Sequence, residues 1–175
     1  MMGSESEPWF LEVGKENSKF TNLSNLVFEF RNFSKGHFAH MTLDNTGFQR
    51  TVLKEANFRG AHGVGIDFKF AWLHGAFFTG VDMPNACFDN AECEWLQARR
   101  ANFKGSKFIS SNLKHADFRQ ADLTDVDFSL ADLKGATFKG AVVKGANFEG
   151  ANLDNIVGLS KVTLRSISKK KDAKK

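Results

Sequence analysis

"ADFRQADLTDVDFSLADLKGATFKGA" runs from Ala116 to Ala141. Within it a large apolar residue recurs at Phe118, Leu123, Phe128, Leu133 and Phe138, and two residues before each stands Ala or Val. A five-residue period belongs neither to an α-helix, with 3.6 residues per turn, nor to a plain strand, with a period of 2. Followed outward, the same register runs from residue 23 to residue 153 without a phase slip, giving 27 centres. Phe or Leu fills 22 of them, the exceptions being Gly63, Met83, Cys93, Ala98 and Val143. Fourteen of the nineteen Phe of the chain sit in this one register, so the period organises the core.

Around each centre the pattern is small, polar, large, then two outward residues. Ala fills 14 of the 27 small positions, and Asn or Asp often stands between small and large, as at Asn57, Asn102, Asp117, Asp122, Asp132, Asn147 and Asn152. Three alternating residues are strand-like, and the two that follow must turn the chain. Gly closes many units (Gly60, Gly75, Gly80, Gly105, Gly135, Gly140, Gly145, Gly150), and it tolerates the positive φ of tight turns. Repeated strand-plus-turn units build a solenoid whose coils stack at about 4.8 Å. A helix is excluded, because a five-residue apolar period drifts around a helix surface.

The units "ANFRG", "ANFKG", "ADFRQ", "ADLTD", "ADLKG", "ANFEG" and "ANLDN" resemble the pentapeptide repeat family, whose motif is A(D/N)LXX. The resemblance covers about residues 21–155 and implies an all-β, right-handed, four-sided parallel β-helix with four units per coil. On that basis 131 residues make about 6.5 coils and a rod roughly 30 Å long. The expected division is an N-terminal cap segment (1–20), the β-helix (21–155), a C-terminal cap (156–167) and a basic disordered tail (168–175). Two irregularities stand inside the repeat. At Leu96-Gln97-Ala98 the large and small positions are exchanged, which conserves volume. At Gly63 a centre is empty while Ile66 puts bulk at the next small position, and a local bulge without a phase change is expected. Arg31 at an inward position predicts an irregular first coil. Trp9, Phe10, Leu11, Val13 and Phe20 are available to cover one end. Ile156, Val157, Leu159, Val162, Leu164 and Ile167 are available at the other.

Of the net charge of +4, the tail Ser168–Lys175 supplies all, having five Lys against one Asp. The body is near neutral. No run of 18 apolar residues predicts a membrane span, and the first residues lack the basic and apolar regions of a secretory signal, so a cytoplasmic location is expected. Cys87 and Cys93 fall on outward and inward positions and are expected as free thiols.

A filled β-helix has no interior pocket for catalysis, and the Asp residues mostly occupy the polar position of the repeat. No zinc spacing, Walker loop or nucleophile elbow is present. His74 and His115 fall two coils apart, too far for one metal ion, and His37 and His40 flank Phe38 as a surface pair. A non-enzymatic protein with no cofactor and no metal is expected.

Folding the chain at twenty residues per coil aligns its outer columns. Arg59, Thr79, Arg99, Arg119 and Lys139 form one, with Arg100 beside Arg99, giving a candidate basic stripe. Asp44, Asp67, Asp82, Asp89, Asp122, Asp125 and Asp127, with Glu29 and Glu149, lie on the opposite faces. Trp72 and Phe77 point outward, Val52 precedes Trp72 in its column, and Trp95 lies one coil on, forming a candidate partner surface. Phe30, Phe70 and Leu130 share another corner. These features favour a protein-binding scaffold with an unidentified protein partner. The family resemblance implies an alternative, a DNA-mimic that binds a type II topoisomerase, with Lys104, Lys107 and Lys144 interrupting the acidic side. Direct nucleic-acid binding by the stripe ranks third, and a homodimer stays open.

Overall fold

Every fifth residue from Asn25 to Asn155 has a left-handed backbone, with φ between 52° and 75°. The computed structural model describes residues 13–16 and 19–160, so Trp9, Phe10, Leu11, Val162, Leu164, Ile167 and the Lys-rich tail lie outside the described residues. Eighteen of these corner residues are not glycine. None is β-branched or proline, as expected where branching at Cβ clashes with a positive φ. The local cost is about 1 kcal/mol per L-residue. Each corner is held by the next coil: Asn85 N–H donates to the Lys104 carbonyl and Trp95 N–H to the Lys114 carbonyl, both at 2.9 Å.

The pairing between coils joins residues twenty apart. Parallel bridges form four ladders, beginning Asn22–Thr42, Val27–Gly47, Asn32–Val52 and His37–Asn57, and the last continues to Thr137–Val157. The chain is therefore a β-helix in which each pentapeptide contributes one bridging residue per coil. Pairing extends past residue 155, since Val157 N–H donates to the Ala136 carbonyl at 3.0 Å.

Inside, the large residues sort by column. Phe occupies twelve of the thirteen centres that end in 8, from Phe28 to Phe148, while those ending in 3 are mostly Leu. With twenty residues per coil, this ten-residue alternation makes two Phe columns and two Leu-rich ones. Phe28, Phe48, Phe68, Phe88, Phe108, Phe128 and Phe148 stack coil on coil, with centroids 4.4–5.4 Å apart. The second column, Phe38, Phe58 and Phe78, stacks at 4.7 Å. The two columns meet edge to face, as at Phe48–Phe58 (85°) and Phe58–Phe68 (89°). Both geometries suit the ring quadrupole, and each pair adds about 0.5–1.5 kcal/mol beyond burial. Ala98 interrupts the second column at the exchange with Leu96, and Phe103 turns toward the gap, 6.3 Å from Phe78 and 5.5 Å from Phe88.

The Asn and Asp between small and large residues hold the turns. Asn57, Asp67, Asn102, Asp122, Asp127 and Asp132 each accept, through Oδ1, the backbone N–H two residues on, at 2.9–3.1 Å. Such short side chains mimic a turn of backbone. Asn side chains also donate to the coil before, Asn102 to Asp82 at 2.7 Å and Asn147 to Asp127 at 3.0 Å. Buried hydroxyls take Ala positions where a carbonyl needs a partner. Thr46 donates to the Leu23 carbonyl, and Ser106 donates to that of Met83 while accepting the Ala86 N–H.

Two expectations are corrected. The first coil keeps its register at Arg31, whose N–H donates to the Phe28 carbonyl. Its side chain is exposed. At Gly63 the ladders through His62 and through Asp67 are both unbroken, and a bend at residues 64–65 takes the place of a bulge. A Cβ at Gly63 would lie 2.6 Å from the Leu43 carbonyl carbon, so the coil has closed in where the side chain is missing. Cys93 is buried, and Cys87 is half-buried with its thiol pushed up to about 11, chiefly by burial.

Two results test this account. A Cβ at Gly80 meets nothing within 4 Å, so substitutions there isolate the backbone requirement. Gly80→Val is expected to cost roughly 1–3 kcal/mol in urea unfolding and Gly80→Asn well under half of that. Equal effects of the two would contradict it. The Asp122 carboxylate accepts the Thr124 hydroxyl at 2.6 Å and its N–H at 3.0 Å, which holds its pKa below the ordinary Asp value. A lowered pKa contributes stability that is present above about pH 4 and lost as pH falls through the folded-state value. Thr124→Val should move the NMR titration midpoint of Asp122 up toward the ordinary value; an unmoved midpoint would rule out the hydroxyl as the main cause.

Candidate interaction surface

The third ladder carries Asn32, Val52, Trp72, Glu92, Asn112, Asp132 and Asn152 up one face of the coil stack. Successive residues of a strand alternate sides and the bridging residue takes the outward one, which is why Trp72 points away from the core. Trp72 is 51% exposed, and the Lys54 ammonium lies over its ring at 5.6 Å from the centroid. Val52, its bridge partner on the coil before, is half-buried. Lys54, Trp72, His74 and Glu92 line a shallow cleft on this face.

The two corners flanking this face are also aromatic. On one, Phe30, Arg50 and Phe70 are successive rungs, and the Arg50 guanidinium sits between the rings, 5.7 Å from one centroid and 5.2 Å from the other. Phe30 is 71% exposed. On the other corner Trp95 is 51% exposed and stacks on His115, with centroids 4.3 Å apart and an interplanar angle of 16°. His74 Nδ1 lies 3.8 Å from a Glu94 carboxylate oxygen beside it. The structure thus places Val52, Trp72 and Trp95 on one face and its edge, and it adds Phe30, Arg50 and Phe70. The sequence columns put the two Phe on a separate corner, and the same column arithmetic that aligns Trp72 with Val52 aligns Arg50 with both.

Phe77 belongs to the next face, the fourth ladder. It is half-buried, with the Arg59 guanidinium 4.1 Å above its ring centroid. Burial beneath Arg59 takes Phe77 away from the exposed aromatics around Trp72.

The middle of the basic stripe is partly screened from within. Asp117 lies between Arg99 and Arg119: Arg99 Nε donates to Oδ2 at 2.6 Å, while Arg119 donates through Nε to Oδ1 at 2.7 Å and through Nη2 to Oδ2 at 2.6 Å. One carboxylate therefore screens two guanidinium groups that would otherwise repel across a coil step. Arg100 donates to Gln120 at 3.0 Å, and Lys139 lines a shallow cleft with Arg99 and Arg119. Acidic side chains are similarly engaged, Asp44 accepting the Val64 N–H and Asp89 the Ile109 N–H.

Among the described residues, no group of three or more His, Cys, Asp or Glu is placed to hold a metal ion, and no helix is long and apolar enough to cross a membrane.

Comparison with known proteins bears on the repeat. The pentapeptide repeats pattern matches in 8 copies, over residues 64–92, 93–125, 101–140 and 131–155. No curated protein matches the sequence. Among solved structures, the trypsin-treated form of QnrB1, a plasmid-mediated fluoroquinolone resistance protein, is 14% identical with a TM-score of 0.47, covering 87% of this chain and 91% of that one. A pentapeptide repeat protein from the thylakoid lumen of Arabidopsis thaliana is 22% identical with a TM-score of 0.33, covering 79% and 75%. HetL, a pentapeptide repeat protein of the cyanobacterium Nostoc involved in heterocyst differentiation regulation, is 19% identical with a TM-score of 0.26, covering 82% and 90%. The repeat match spans more than half of the sequence and lies within the bridged coils, and the chain belongs to the pentapeptide repeat family.

Proposed function

We propose that this protein is a non-enzymatic scaffold that binds a protein partner through the aromatic face around Trp72 and Trp95. The observation that carries the proposal is the exposure of Phe30, Phe70, Trp72 and Trp95 on one face and its two corners. Large exposed aromatics held on rigid backbone lose little entropy on docking and supply the anchors of protein interfaces. The same rigidity comes from the ladders beneath them, whose twenty-residue register supports a right-handed, four-sided coil of about 6.5 turns. Residues 1–20 and 156–167 serve as caps in this reading, with 168–175 as a basic tail.

The pairing of Arg99 and Arg119 with Asp117 favours the protein-binding reading over nucleic-acid binding by Arg59, Arg99, Arg100, Arg119 and Lys139, because phosphate would have to displace a bidentate carboxylate. The topoisomerase alternative draws on the acidic side chains. Several of those already accept turn N–H groups or Asn amides, which lowers their appeal as stand-ins for phosphate.

The test is capture from native lysate by the full chain and by the double variant Trp72→Ser/Trp95→Ser, after circular dichroism shows both folded. A partner held by the unaltered chain and lost by the variant is the expected result. The same partner held equally by both would contradict the proposal.

A further inference from the structure

Along the corners, an empty glycine rung is normally filled by the side chain one coil before it. A Cβ on Gly60 would meet His40 Nδ1 at 2.7 Å, one on Gly135 would meet His115 Nδ1 at 2.6 Å, and one on Gly150 would meet Leu130 Cδ2 at 2.7 Å. Gly75 and Gly80 differ. Among the described residues, a Cβ at Gly80 meets nothing within 4 Å and one at Gly75 meets Glu55 Cγ alone, at 3.6 Å; of the two, Gly75 lies between a carboxylate and an indole. On its far side Trp95 leans away to stack on His115, so the other face of the indole looks onto the vacant rung. The backbones at Glu55 and Trp95 are thus two coil steps apart, about 9.6 Å, with a glycine between them. A planar group stacked at van der Waals distance from both sides needs about 7 Å.

The neighbouring corner shows what such a space holds. There the middle rung is Arg50, whose guanidinium lies between the rings of Phe30 and Phe70. The Gly75 notch is the same arrangement with the guanidinium removed and one ring replaced by a carboxylate. Its charge suits a cation. Among the described residues, the Glu55 side chain pairs with Lys35, at 3.9 Å between side chains both more than half exposed, a pairing worth little in water. Glu94 lies beside Trp95, and Glu92 borders the cleft at Trp72. The ring of Trp72 already carries Lys54, so the open face of Trp95 is the available platform.

We propose that the Gly75 notch receives an arginine side chain from a basic segment of the partner protein, its guanidinium held between the Glu55 carboxylate and the Trp95 indole. Arginine fits better than lysine, because a flat, weakly hydrated cation can stack on the ring while donating to the carboxylate. This proposal rests on the aromatic face being a protein interface and names the chemistry of what docks there.

The probe is a hexa-arginine peptide titrated onto the full-length protein by calorimetry, with hexalysine alongside. Gly75→Arg fills the notch with the protein's own guanidinium; Arg50 and Arg100 already hold the same left-handed backbone at φ 54° and 55°. Gly80→Arg adds the same charge at another corner. Hexa-arginine is expected to bind more tightly than hexalysine, and Gly75→Arg and Trp95→Leu should each weaken it about tenfold, with Gly80→Arg weakening it far less. Equal weakening by Gly75→Arg and Gly80→Arg would overturn the notch, since charge alone would explain it. A tenfold gain in hexa-arginine affinity on Arg165→Ala would also overturn it, by showing the chain's own C-terminal segment as the occupant. The native partner separates the two ideas. A partner lost by the Trp72→Ser/Trp95→Ser variant but kept by Gly75→Arg leaves the interface standing and removes the arginine notch. One kept by the tryptophan variant removes the interface itself.

Discussion

The left-handed residue at the end of every pentapeptide is the constraint on which the molecule depends. It turns the chain at each fifth position, and four such turns bring residue i beneath residue i + 20. Eighteen non-glycine residues accept that backbone at a local cost of about 1 kcal/mol each. The cost is offset collectively, because each turned unit closes ladder hydrogen bonds to both neighbours and buries an apolar centre. An isolated pentapeptide has neither, which is why such a unit is stable only within a stack.

The corners also determine what the surface can do. Side chains at the corner positions leave the coil in columns, so each meets the side chain one coil away rather than its sequence neighbour. Arg50 between two rings, Trp95 stacked with His115 and His40 against Gly60 are three outcomes of that geometry. A glycine in a column is then both a relaxed turn and a vacancy. Charges obey the same logic, and the pairing of Arg99 and Arg119 through Asp117 shows how a column of like charge is made tolerable by a carboxylate on the ladder beside it.

Most of the core was legible in the sequence. The five-residue period marked every centre from Leu23 to Leu153, and the exchange at Leu96-Gln97-Ala98 was readable as conserved volume. The alternation of Phe and Leu at ten residues was also present, and it carries the information that opposite faces share a residue type. Grouping Phe with Leu as one class hid it. The turn role of Asn57 or Asp122 was visible as a choice between solvation and hydrogen bonding, which only the placement of the N–H two residues on could decide. The surface was less legible. Exposure of Trp72 and Trp95 followed from column arithmetic, but the cover of Arg59 over Phe77 and the screening of Arg99 and Arg119 by Asp117 depend on side-chain directions that a periodic pattern does not encode.

Deletion of whole units tests most directly the claim that four turned units make a coil with phenylalanine on alternate ones. Removing residues 116–120, 111–120 or 106–125 takes out one, two or four units and leaves the five-residue phase intact. The account predicts that losing two or four units keeps Phe stacked on Phe, so both variants unfold cooperatively near the parent. Losing one unit sets the rings after the deletion over the Leu-rich columns and lowers the midpoint further, despite the smaller loss of core. Equal midpoints for all three, or the highest midpoint for the single-unit deletion, would contradict it.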